Sequence, residues 1–146
     1  MAKLEISTVI NRPVEEVFAF VSNYENLPKW TSLSSEVKKT SDGPIGVGTT
    51  YRTVVKFLGQ RIEGETEVTE YEPNRSCAHK AKSGPFPVEN RLTFERVAGG
   101  TRVSLMTEGE PGGFFKVAEP LLVRTIKRQF EADLANLNDL MEAHAL

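Results

Sequence analysis

Cysteine and histidine are nearly missing from this chain: among 146 residues, Cys77 is the one thiol and His79 and His144 are the two imidazoles. A single cysteine excludes an internal disulfide and fits a reducing compartment, so a cytoplasmic protein is expected. Two histidines so far apart, with one cysteine, make no recognisable metal site, and no metal or other cofactor is expected. No uninterrupted apolar stretch approaches the ~20 residues that cross a bilayer, which excludes a membrane span. The opening residues Met1 to Ser7 lack the basic start and apolar run of a signal peptide. Positive charge is not in excess either. Lys and Arg number 18 against 20 Asp and Glu, a formal charge of −2, which argues against a nucleic-acid partner.

What is present is ordinary for a globular chain: 39% apolar and 26% charged residues. The length suits one domain, 1–146, that buries a full core without disulfides or metal. No repeat, linker or low-complexity segment divides it. Either a monomer or a homodimer is compatible with the sequence.

Residues 3 to 11 alternate, with Leu4, Ile6, Thr8 and Ile10 on one face, as in a half-buried strand. Asn11-Arg12-Pro13 then starts a helix, Asn11 or Arg12 lying in the cap region and Pro13 in the first turn. Val14, Val17, Phe18 and Val21 supply its apolar stripe. Asn23 can cap a second short helical turn that Pro28 disturbs, and Trp30 follows. Residues 34 to 40 read as an edge strand closed by the turn Ser41-Asp42-Gly43-Pro44. Thr49 to Phe57 and Arg61 to Tyr71, joined by Leu58-Gly59-Gln60, carry a hairpin signal. Ser76 to Lys82, Val88 to Arg96 and Arg102 to Glu108 complete a meandering antiparallel sheet of about seven strands.

The last third is helical. From Leu122 the apolar residues Leu122, Ile126, Phe130, Leu134, Leu137 and Met141 recur at three- and four-residue spacing, which puts all six on one face. Such a helix is roughly 40 Å long at 1.5 Å per residue. It needs a broad, curved partner, and the strands before it are the only candidate. The class is therefore α+β, with a curved sheet against a long helix and space between the layers. Pro120 falls inside the helical pattern and predicts a kink or a short turn ahead of the main helix.

The run Gly43-Pro44-Ile45-Gly46-Val47-Gly48-Thr49 superficially suggests a phosphate loop. A β-branched strand follows it where that chemistry needs a helix N-terminus, so a turn with a bulge is expected. Glu63, Glu65 and Glu67 alternate against Ile62, Gly64, Thr66 and Val68 and read as a solvated exterior, as do Lys80 and Lys82. His79 shares its strand face with Cys77 and Ala81. It could serve as a general base, orient a ligand, or be satisfied by a local hydrogen bond. Asn90 stands in a row with Val88, Leu92 and Phe94 and needs a partner from protein, water or ligand. Tyr51 and Thr53 raise the same question in the row of Val55 and Phe57. Trp30 is either a core plug or one wall of a cavity mouth. No serine sits in a nucleophile-elbow context.

The order strand, two short helices, six strands, long helix resembles the START-like, or birch-pollen-allergen-like, superfamily (SRPBCC) with its helix-grip fold. Ile10-Asn11-Arg12-Pro13-Val14-Glu15-Glu16-Val17-Phe18 is similar to that family's I-x-A-P-x-E-x-V-F/W opening, with Arg12 in place of the common alanine. Tyr24 to Trp30 resembles its Y/L-P-x-W segment, Val68 to Pro73 its V-x-E-x-x-P strand end, and Gly100-Thr101-Arg102-Val103 its G-T-x-V hairpin. By length and motif order the nearest branch is the polyketide cyclase/dehydrase and lipid transport group.

The resemblance implies a cavity for a small hydrophobic molecule, whether lipid, polyketide or other aromatic. Strand alternation assigns Tyr51, Thr53, Val55, His79, Asn90, Leu92 and Phe94 to its sheet side. Trp30 would come from the short helices, and Leu122, Ile126 and Phe130 from the long helix. No catalytic residue carries over. Three roles stay open at this point: a ligand-binding protein, a cyclase or dehydratase that folds a flexible substrate, and a non-catalytic interaction or regulatory module.

Overall fold

The computed structural model describes residues 2–31, 34–57, 59–83, 88–109 and 120–143. Strand β1 (Ala2–Ile10) is followed by α1 (Val14–Val21), a 3-10 turn (Tyr24–Asn26) and α2 (Leu27–Trp30). Then come β2 (Ser34–Lys39), β3 (Thr50–Phe57), β4 (Gln60–Glu72), β5 (Ser76–Ser83), β6 (Val88–Val97), β7 (Gly100–Gly109) and α3 (Pro120–Glu142). The seven strands form one antiparallel sheet in the order β1-β7-β6-β5-β4-β3-β2. β1 therefore lies at one edge and β2 at the other, and the short helices carry the chain across the full width between them. Register shifts between Ser34 and Glu36 in β2, and at two places between β4 and β5, bend the sheet.

Two prolines sit one step from where periodicity puts them. Pro13 is the N-cap of α1 rather than part of its first turn. Pro28 lies near the start of α2, where the amide it lacks would have no helical partner, so it helps to open that helix instead of disturbing it. Pro120 is the first described residue of α3, and the short turn that the sequence allows ahead of it lies outside the described residues. At 23 residues this helix is roughly 35 Å long.

The core gathers where β1, β6 and β7 meet α1 and the second half of α3. Ile10, Val17, Val103, Leu134, Leu137 and Met141 are sealed from solvent there. Polar ties fix the helix in place. The Asn138 amide donates to the Val9 carbonyl at 2.8 Å and to the Thr8 hydroxyl at 3.2 Å, and the Asn136 amide donates to the Trp30 carbonyl at 3.3 Å. Of the predicted helix face, Leu134, Leu137 and Met141 are buried and Phe130 is half-buried. The side chains of Leu122 and Ile126 lie outside the described residues.

The Gly100-Thr101 pair has a local cause. A Cβ at position 100 would come within 2.0 Å of the Ile10 carbonyl oxygen, so only glycine lets the β6–β7 hairpin approach the end of β1. Thr101 then donates its hydroxyl to the Arg12 carbonyl at 2.9 Å.

The outer sheet face carries Glu63 and its neighbours, as alternation predicts. Arg52 bonds Glu63 at 2.5 Å, and Arg61 reaches Glu36 at 3.2 Å and Glu63 at 3.6 Å. Val54 lies between Glu36 and Glu63 across the strands yet is only 1% exposed. Long side chains of ion-paired residues flank it on both neighbouring strands. Ala78, flanked by Glu70 and Arg91, is buried beneath their 3.1 Å pair in the same way.

The glycine run after Gly43 leads into β3. Gly43 and Gly48 adopt positive φ, and Thr49 bonds both Gly46 and Val68 through its backbone, which makes this a turn and not a phosphate cradle.

Candidate functional site

The inner face of the sheet carries a polar row built by strand register. His79 on β5 stands directly across from Val68 on β4 and Asn90 on β6, and Asn90 across from Thr107 on β7. The Thr107 hydroxyl donates to the Asn90 side-chain carbonyl at 2.7 Å. That bond leaves the Asn90 amide hydrogens without a partner among the described residues.

Tyr24 closes over this row from the 3-10 turn. The turn itself is tied on three sides. Asn23 accepts from the Glu25 amide at 3.3 Å, Asn26 donates to the Phe20 carbonyl at 3.0 Å, and the Glu25 carboxylate accepts from the Lys39 amide at 3.1 Å. So held, the Tyr24 ring lies 4.1 Å from the His79 ring and 5.3 Å from that of Tyr51, centroid to centroid.

His79 is 7% exposed, and neither of its ring nitrogens has a hydrogen-bond partner among the described residues. Tyr51 is fully buried and its hydroxyl is likewise unpartnered. Burial lowers the His79 pKa to about 4, so the ring is neutral near pH 7, with one N–H donor and one acceptor nitrogen. Burial pushes the Tyr51 phenol up to about 12, against a smaller opposing pull from the Tyr24 backbone, which lies near it without completing a hydrogen bond. The Tyr24 phenol is raised too, by burial first and then by Cys77 and Tyr51. Cys77 is held up at about 12, chiefly by burial. All four groups are uncharged at neutral pH.

A small cavity opens beside His79, lined by Ser22, Tyr24, Val68, Tyr71, Cys77 and Leu92 among others. It leaves about 10 Å³ for the centre of a water-sized sphere, about the least that holds one water.

The structure thus brings together Tyr51, His79, Asn90 and Leu92 of the residues predicted for the site. Thr53 and Val55 continue the Tyr51 row as half-buried positions. Phe94 packs edge-on against Phe18 at 5.1 Å, within the core. Trp30 is also in that core at 4% exposure, its indole nitrogen buried without a partner. Sequence reasoning missed Tyr24, Tyr71 and Cys77. Tyr24 was within reach: it follows a capping asparagine, so its ring had to leave a fixed turn, although no spacing said in which direction.

Among the described residues no helix is long and apolar enough to cross a membrane, and no three His, Cys, Asp or Glu side chains cluster as metal ligands.

A curved antiparallel sheet gripping a C-terminal helix, with short helices bridging its edges, is the helix-grip architecture of the SRPBCC proteins. Residues 1–142 match the family described as polyketide cyclase / dehydrase and lipid transport, and the chain belongs to that family. No curated protein matches it. Among solved structures it is similar to TTHA0849 of Thermus thermophilus, with 20% identity over 99% of this chain and 100% of that one and a TM-score of 0.81. The Zhui aromatase/cyclase of a Streptomyces species is 14% identical over 99% and 96% of the two chains, with a TM-score of 0.77. Ara h 8.0201 is 12% identical over 97% and 98%, with a TM-score of 0.72. At these identities the likeness is one of fold.

Proposed function

We propose that the chain, as one helix-grip domain over residues 1–146, binds a small hydrophobic or aromatic molecule on the inner face of the sheet, in the cytoplasm. The observation that carries this reading is the Tyr51 hydroxyl, buried without a hydrogen-bond partner, in a cluster where the Tyr24 ring touches both Tyr51 and the buried, neutral His79 ring. A buried polar group without a partner costs about 1–3 kcal/mol, and a site that receives a ligand's hydrogen bond is one setting where that cost is recovered. Apolar burial would supply most of the affinity, with His79, Tyr51 and Asn90 setting orientation. The ligand would run from His79 past the buried Tyr51 along the half-buried Thr53 and Val55.

The family description and the aromatase/cyclase neighbour favour a second reading, a cyclase or dehydratase with His79 as base. Acid–base catalysis works best with a pKa near the working pH. His79 near 4 and Tyr51 near 12 are both far from neutrality, which supports binding over turnover.

Native mass spectrometry of the purified protein, followed by titration with each small molecule recovered, tests the role. His79→Ala and Asn90→Ala should each weaken binding by about 1–3 kcal/mol with no product formed. Product accumulating over many turnovers and lost in His79→Ala would decide for the enzyme. A protein that carries nothing and titrates with no apolar or aromatic compound would end the binding reading.

A further inference from the structure

We infer that the site selects a ligand whose polar end is uncharged, a hydroxyl or carbonyl on an apolar or aromatic frame, and rejects carboxylates and phosphates. This rests on the binding role proposed above and narrows it to a chemical class.

The polar side chains buried on the inner face around Tyr24 are Tyr51, Thr66, His79 and Thr107, with Asn90 half-buried beside them, and none carries a charge at neutral pH. Every lysine and arginine whose side chain is described keeps at least part of its surface in water. Those near the site by sequence point away from it: Lys80 and Lys82 are exposed, and Arg91 pairs with Glu70 on the outer face. The one buried acidic or basic side chain among the described residues, His79 apart, is Asp133 on α3, a carboxyl group that accepts from Gln129 at 3.0 Å and is no cation. An anionic head placed beside His79 would lose its hydration and meet no cation among the described residues.

A neutral head meets what it needs. A hydroxyl can donate to the acceptor nitrogen of His79, or accept from the Tyr51 hydroxyl or the Asn90 amide. A carbonyl can accept from any of the three. The titratable groups packed around His79 are Tyr24 from the 3-10 turn, Tyr51 from β3, Tyr71 and the outward, ion-paired Glu70 from β4, and Cys77 from β5. None of them offers a positive charge.

Equilibrium dialysis with a matched set, naphthalene, 2-naphthol and 2-naphthoate, tests this on the full chain. At pH 7.5 the naphthol should bind at least about tenfold more tightly than the naphthoate, a gap of about 1.4 kcal/mol. Lowering the pH from about 7.5 to 5.5 should raise the naphthoate's affinity by about tenfold per unit as its neutral acid form grows. His79 stays neutral across that window. Tyr51→Phe keeps the ring and removes only the hydroxyl; His79→Phe keeps a ring beside Tyr24. Each should weaken naphthol binding about three- to tenfold and leave naphthalene unchanged. A naphthoate that binds as tightly as naphthol at pH 7.5, or with an affinity independent of pH, overturns the charge rule and leaves the binding role standing. Variants that lose naphthol and naphthalene alike overturn the assignment of the polar end to these residues. Failure of all three compounds to bind overturns the charge rule, and the binding role falls with it where the protein also carries nothing in native mass spectrometry and titrates with no other apolar or aromatic compound.

Discussion

Where β1, β6 and β7 meet α1 and the second half of α3, the interior is closed by Ile10, Val17, Leu134, Leu137 and Met141, and side-chain bonds from Thr101 to Arg12 and from Asn138 to Val9 tie its border. On β3 and β5, beneath Tyr24, the buried side chains are Tyr51 and His79, neither with a hydrogen-bond partner among the described residues. The first region spends its burial on cohesion. The second holds polar groups at a cost to the fold, as proteins do where a site needs them. Stability and recognition are thus separable along one sheet, and substitutions at the two ends should separate them in solution.

The largest effect tests the closed end. Removing α3, residues 120–142, uncovers the core against which Leu134, Leu137 and Met141 pack. The shortened chain should lack a cooperative transition in calorimetry; a sharp melt near the parent temperature would show that the sheet does not depend on the helix.

Leu137→Ala comes next. Leu137 is fully buried in the core, so its truncation should cost about 2–5 kcal/mol in denaturant unfolding. Ligand affinity in the folded fraction should be unchanged. Equal loss of binding and stability would mean that the two regions are coupled.

The open end should reveal itself through pH. The His79 pKa is 6.5 unperturbed and about 4 in the fold, so below 6.5 the unfolded chain takes up a proton that the folded chain refuses. This contribution is fully present above pH 6.5 and is lost as pH falls towards 4, roughly 3 kcal/mol over the window. His79→Phe should flatten that part of the stability profile. An unchanged slope in the variant would place the titration elsewhere.

The smallest effect is Tyr51→Phe. Deleting a buried hydroxyl that has no partner should leave stability within about 1 kcal/mol of the parent or raise it, while affinity for a hydroxyl-bearing ligand falls. A large destabilisation would show that Tyr51 holds the fold and not the ligand.

Much of the fold was legible because it rests on local periodicity. The β1 alternation, the turn at Gly59 and the Leu134, Leu137, Met141 stripe all report a residue's own element and need no knowledge of its neighbours. The prolines were misplaced by a residue or so because helix starts depend on which backbone amides lack partners, and hydrophobic period does not carry that. Of the site, His79 and Tyr51 were legible as polar residues on apolar strand faces. Tyr24 was not, since a 3-10 turn has no face. Phe94 read as a cavity wall and Trp30 as either a wall or a core plug, and both stand in the packed core, because alternation tells which side of a sheet a residue faces and not what fills that side.

By itself the sequence determined which residues face inward, where the strands turn, and that a long helix must cover them, since those follow from side-chain period and backbone preference along one stretch of chain. Only the tertiary structure decided that Tyr24, from a turn between two helices, stacks on a histidine 55 positions later. It also decided that ion pairs flank the buried Val54 and Ala78, and that the Tyr51 hydroxyl is buried without a partner. Those outcomes depend on strand register and on the path of the helices across the sheet, distances through space that no local pattern encodes.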